Sequence, residues 1–90
     1  MIQYEIDLSG LLPITREGAI KLVSVTDTFS SRIVFKSHNT IINGKSMLGL
    51  MALRDLHNAP TMLECDGTDE EEAAKAVLEL LNSYKKVDKL

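Results

Sequence analysis

Apolar and polar residues alternate from position 2, with Ile2, Tyr4, Ile6 and Leu8 set against Gln3, Glu5, Asp7 and Ser9. A period of two predicts a strand with one buried face. Gly10 and Pro13 in "SGLLPIT" then break regular structure, so that stretch reads as a loop. From Thr15 the period changes: Ala19, Leu22, Val23, Thr26 and Phe29 recur at helical spacing, with Thr15 as the N-cap. "RIVFK" (32–36) and "NTIIN" (39–43) flank a short turn around Ser37 and His38 and predict a hairpin. "TMLECD" (61–66) alternates again, placing Thr61, Leu63 and Cys65 on one face. The final segment is the clearest helix, with Ala73, Val77, Leu80, Leu81 and Tyr84 on one side and Glu72, Lys75, Glu79 and Asn82 on the other. Thr68 and Glu71 have capping-box spacing at its start, where Asp69 and Glu70 also suit the positive end of the helix dipole. With a short helix after Ser46, the order is β-α-β-β-α-β-α in a single domain, residues 1–90, without repeat, linker or low-complexity segment.

That short helix breaks the pattern. "NGKSMLGLMALRD" (43–55) opens with a turn and then runs apolar with hardly a polar position. On a helical wheel Met47 and Met51 lie close together with Leu48 beside them, while Leu50 and Leu53 point elsewhere. A helix apolar all round is either buried all round or touches a partner, and a domain this small cannot cover it on every side. Leu50 and Leu53 are therefore expected to face the sheet, leaving Met47, Leu48 and Met51 near the surface as an adaptable contact patch. Ser46 is the expected N-cap. A phosphate on the same hydroxyl would meet the positive end of the dipole, worth ~0.3–1 kcal/mol and up to ~2 in favourable geometry, and would set charge beside the apolar patch.

Composition narrows the function. A 90-residue chain of net charge -3 without a basic stripe or an aromatic stacking set argues against direct nucleic-acid binding. No apolar run approaches the ~18 residues of a membrane span, and "MIQYEID" lacks the features of a signal peptide. The single cysteine, Cys65, cannot build a disulfide framework; a cytoplasmic domain is the natural reading. "DGTDEEE" (66–72) lacks the alternating oxygen ligands of a calcium loop. "GKS" (44–46) lacks the glycine that a phosphate-binding loop needs five positions before Gly44, where Asn39 stands. His38 and His57 have no evident partners for metal binding or nucleophilic catalysis, and Cys65 reads as a buried, inert thiol. No enzyme, metal or cofactor is implied.

"NGKSMLGLMAL" (43–53), "DGTDEEEAAKAVLELL" (66–81) and "AIKLV" (19–23) resemble the HPr family, the histidine-containing phosphocarriers of the bacterial sugar phosphotransferase system. The resemblance spans nearly the whole chain. It implies an α+β, HPr-like open-faced β-sandwich: a four-stranded antiparallel sheet with three helices on one face. It also implies that Ser46 is a regulatory phosphorylation site for a dedicated serine kinase. By the same resemblance, Met47, Leu48 and Met51 would contact that kinase, a transcription regulator, or the phosphotransferase components enzyme I and sugar permease domains.

The family's other signature is missing. Its members enter the first helix through a Gly-Leu-His-Ala-Arg-Pro-like run whose histidine carries the phosphoryl group. Counted back from "KLV", that histidine falls on Thr15, the phosphate-steadying arginine on Glu17 and the proline on Gly18. A register shifted by one puts Arg16 on the arginine position and Ile14 on the histidine's. Arg16 and Glu17 thus occupy the stretch that usually helps bind partners. Without an imidazole the chain resembles the family's histidine-lacking regulatory paralogues, which report carbon status through serine phosphorylation and protein contacts. Two other readings stay open: a phosphocarrier whose histidine is dispensable or supplied elsewhere, and a ferredoxin-like small-molecule sensor, whose element order is also β-α-β-β-α-β. The oligomeric state is open.

Overall fold

The computed structural model describes residues 1–6, 8, 14–37, 40–52 and 61–88, the last five by backbone alone. Strand β1 (Ile2–Ile6), helix α1 (Arg16–Thr26), β2 (Arg32–Ser37), β3 (Thr40–Asn43), α2 (Met47–Met51), β4 (Thr61–Asp66) and α3 (Glu70–Asp88) follow in the predicted order. The strands form one sheet in the order β1-β4-β2-β3, with every pair antiparallel. β1 is therefore an edge strand, and the interior belongs to β4 and β2. A ferredoxin-like sheet carries its first strand inside, so the same element order is here wound differently.

Register explains which residues meet the helices. Ile2 and Ile33 flank Cys65, Tyr4 and Phe35 flank Leu63, and Phe35 also faces Ile42. Cys65, Leu63, Ile33, Phe35 and Ile42 join Ala19 and Leu22 of α1, Leu50 of α2, and Ala73, Ala74, Val77 and Leu81 of α3 in one core cluster. All three helices thus cover one side of the sheet, as the alternation of β1 and β4 predicts. The other side carries Gln3, Glu5, Met62, Glu64, Arg32, Val34, Lys36, Ile41 and Asn43. Glu64, in the interior strand β4, is buried there among its neighbours. Gln3 Nε2 donates to its Oε1 at 3.1 Å, and Lys36 Nζ stands 3.3 Å from Oε2. The Gln3 hydrogen bond, followed by Lys36, holds this carboxyl below its usual range against the opposing cost of desolvation.

Two helix boundaries differ from the pattern. α1 ends at Thr26, so Phe29 reaches the core from beyond the helix. The buried Thr26 hydroxyl donates to the Gly44 carbonyl at 2.8 Å, tying the end of α1 to the turn before α2. At the start of α3, Glu70 rather than Glu71 reaches back, accepting from Gly67 N at 3.1 Å. The neighbouring Asp69 carboxylate turns away from its own helix. It accepts from Ser30 N and Ser31 N, each at 2.9 Å, and from the Ser31 hydroxyl. Those bonds, the Ser31 hydroxyl foremost, bring its pKa down to about 2.

The depressed Asp69 pKa has a consequence for acid stability. A carboxyl lowered from ~3.9 in the unfolded chain to about 2 in the fold stabilises the domain above ~pH 4, and this share is lost as pH falls through about 2. Asp69→Asn is expected to melt below wild type at pH 7 and to show a shallower decline between pH 5 and 2. Parallel melting curves for the two proteins across that range would show that the tie contributes nothing.

Candidate functional site

α2 is a short helix, and its five residues sort by angle. Ser46 caps it: its Oγ accepts from Gly49 N at 3.1 Å. At 100° per residue, Leu50, Met47, Met51 and Leu48 succeed one another around the wheel. Their exposure rises in the same sequence, from buried Leu50 and half-buried Met47 to Met51 at 37% and Leu48 at 85%. Gly49 completes the circle against β3, where an added Cβ would stand 3.3 Å from both Asn43 O and Ile42 Cγ2.

The expectation that Met47 stays near the surface is therefore corrected. Met47 shares a face with Leu50, three residues on, and packs against the core. The open part of the patch is Leu48 and Met51. Leu53, expected to face the sheet, lies outside the described residues, as do His38 and His57.

Thr15 caps α1 as expected, its Oγ1 accepting from Gly18 N at 3.0 Å. Arg16 and Glu17 are exposed in the first turn. Glu17 suits that place structurally, since an acidic side chain there faces the positive end of the helix. α1 packs against α2, so the Thr15–Glu17 stretch and the Ser46–Met51 stretch lie on contacting helices. Pattern reasoning passed over Ile20, which is 51% exposed on α1. The signal was present: Ile20 falls off the Ala19, Leu22, Val23, Thr26 face and one turn after Arg16, where a polar residue is the norm.

The chemistry available to these groups is narrow. Among the described residues no cluster of three or more His, Cys, Asp or Glu side chains could hold a metal ion. Burial, then the carboxylates of Glu70, Asp69 and Glu64, pushes the Cys65 thiol up to about 11, away from the thiolate that reacts. No helix among the described residues is long and apolar enough to cross a membrane.

Known proteins resemble this chain in sequence and fold. A family model described as "PTS HPr component phosphorylation site" matches residues 16–83. The phosphocarrier protein HPr of Neisseria meningitidis is 31% identical over 84 residues, 93% of this chain and 94% of that protein. The crystal structure of HPr-C-His from Thermoanaerobacter tengcongensis superposes with a TM-score of 0.77 at 32% identity, covering 93% of this chain and 94% of its own. Crh of Bacillus subtilis shares the fold with a TM-score of 0.70 at 20% identity, covering 92% and 91%. With a matching family model and relatives aligned almost end to end, this chain belongs to the HPr family of the phosphotransferase system.

Proposed function

We propose that the chain is a non-catalytic regulatory member of the family, docking on cytoplasmic protein partners through α2 and switched by phosphorylation of Ser46. The observation that supports this most directly is Leu48, 85% exposed on a helix whose next leucine, Leu50, is fully buried. One exposed leucine is ordinary, but Leu48 with Met51 on the same short helix makes an apolar patch, which a partner surface would account for. Met51 extends that surface, Met47 forms its half-buried base, and the neighbouring helix α1 exposes Ile20, Arg16 and Glu17. A phosphate at Ser46 would add about two negative charges beside Leu48 and alter which partners can approach. By family membership those partners are a serine kinase of the HPr type, phosphotransferase components or a transcription regulator. Phosphoryl carriage is the second reading, favoured by the names of the relatives.

Kinase treatment and substitution test the proposal together. An HPr-type serine kinase with ATP is expected to modify Ser46 and no other residue, as read by intact mass and fragment mapping. Leu48→Glu is expected to abolish recognition by the kinase while shifting stability by less than ~0.5 kcal/mol, as surface changes do. Leu50→Ala, a buried truncation, is expected to cost ~2–5 kcal/mol. If Leu48→Glu unfolds the domain as severely as Leu50→Ala, the patch is core and the docking proposal fails.

A further inference from the structure

The uncovered side of the sheet carries a cleft that docking through α2 does not use. It is lined by Arg32, Ile33, Val34, Ile41, Asn43 and Lys45 and has a volume of about 290 Å³, just below the ~300–1,000 Å³ typical of ligand sites. We propose that this cleft binds a small organic oxyanion, a carboxylate or phosphate ester carried on an apolar body.

The charge argument begins with Arg32. In a chain of net charge -3, this guanidinium has no carboxylate partner among the described ion pairs. Two acids beside it in the sheet have other partners, and Arg32 acts on Glu64 only through its charge, the smallest of the influences on that carboxyl. Asp66, opposite Arg32 in the register, lies 3.7 Å from the N-terminal ammonium. Glu64 is held by Gln3 and Lys36. Lys45, a second cation on the lining, donates to the Phe29 carbonyl at 2.6 Å and has two further N–H donors. Asn43 Oδ1 accepts from Lys45 N at 2.9 Å, which orients the amide and leaves its NH2 as the group to offer a ligand. Arginine's planar fork suits a carboxylate or a phosphate equally.

The apolar half of the ligand follows from Val34 and Ile41. Both lie on the side of the sheet without helices, Val34 buried and Ile41 57% exposed. Neither belongs to the core cluster under the helices; Ile41 offers exposed apolar surface to the cleft that the cations rim, beside a Val34 already covered by its neighbours. The wall of the cleft is also the seat of α2, because Ser46 N donates to Asn43 O at 3.2 Å. An occupant would therefore sit one turn of chain from the Ser46 cap.

Amide chemical-shift titrations of the full chain at low salt test the assignment, with phenyl phosphate, benzoate and inorganic phosphate as probes. Phenyl phosphate or benzoate is expected to give saturable shifts centred on Arg32, Val34, Ile41, Asn43 and Lys45. The stronger of the two identifies the headgroup as phosphate ester or carboxylate, and inorganic phosphate, which cannot use the apolar surface, is expected to bind more weakly than phenyl phosphate. Arg32→Gln, exposed and outside the core, is expected to keep the spectrum of the fold and weaken the aromatic anion by ~10-fold or more, the worth of a charge-assisted hydrogen bond. Absence of saturation, shifts centred instead on Thr15–Gly18, or affinity undiminished in Arg32→Gln would overturn the proposal.

Discussion

Mixed with enzyme I and phosphoenolpyruvate, the wild-type chain is expected to acquire no acid-labile phosphate, whereas Thr15→His with Glu17→Arg is expected to acquire it. Relay requires a nitrogen nucleophile whose phosphoramidate keeps a high transfer potential. Thr15 offers an alcohol, whose phosphate ester is too stable to pass on. Its oxygen already accepts from Gly18 N, and no described hydrogen bond links the hydroxyl to a base. Histidine alone is expected to do poorly, because Glu17 stands two residues on in the same first turn. Two unit charges ~5 Å apart near a protein surface repel by roughly 1–3 kcal/mol, or about 5–150-fold in rate. Equal activity of Thr15→His and the double variant would show that Glu17 does not oppose the incoming phosphate. Acid-labile phosphate on the wild-type chain, transferable to a sugar permease domain, would sink the non-carrier proposal itself.

Gly67→Ala is expected to produce the largest loss of stability of any single methyl addition among the described residues. Gly67 has φ 156°, a backbone conformation that side-chain-bearing residues rarely adopt. A Cβ built there stands 2.5 Å from Ser31 Oγ and 2.7 Å from Ser31 Cα. The hydroxyl could rotate away, but the Cα could retreat only by disrupting the bonds from Ser30 and Ser31 to Asp69. Backbone strain costs ~1–3 kcal/mol and the overlap adds to it, so a total near ~3 kcal/mol or more is expected. For a domain of this size that corresponds to roughly 12–24 °C in Tm. Thr68→Ala, exposed and one residue away, serves as the control and is expected to melt near wild type. A Gly67→Ala protein melting within a few degrees of wild type would show that this turn accommodates a side chain.

Features that depend on local chemistry were legible before the structure. Thr15 and Ser46 cap their helices because a cap needs only a hydroxyl and the N–H group three residues on, here Gly18 and Gly49. The alternations in β1 and β4 reported their inward faces, and the segment around Ser46 reported the family. Features that depend on strand pairing were not legible. Glu64 reads as a solvent-facing residue until β4 is known to lie between β1 and β2. The cap of α3 moved from Thr68 and Glu71 to Gly67 and Glu70, while Asp69 is held by two serines about 38 residues away in sequence. Met47 turned partly toward the core because it lies three residues before the buried Leu50, on the same side of α2. The Arg32 cleft joins β2 to β3 across the open face, which no single segment reveals.

The position of β4 also dictates when this chain can fold during synthesis. Of the three strand pairings, two require Thr61–Asp66; the β2–β3 hairpin alone can form earlier. β1 leaves the ribosome first, yet its partner arrives some sixty residues later, as the bond from Gln3 to Glu64 spans 61 positions. Closing so long a loop carries an entropic cost before any contact repays it, which places the domain among slower folders than its helical content suggests. At ~5–20 residues per second, β1 waits several seconds with Ile2, Tyr4 and Ile6 unpaired. In that interval the nascent chain is most open to strand exchange with its neighbours on a polysome, a hazard that lasts until β4 and then α3, which covers the inner face, have cleared the exit tunnel.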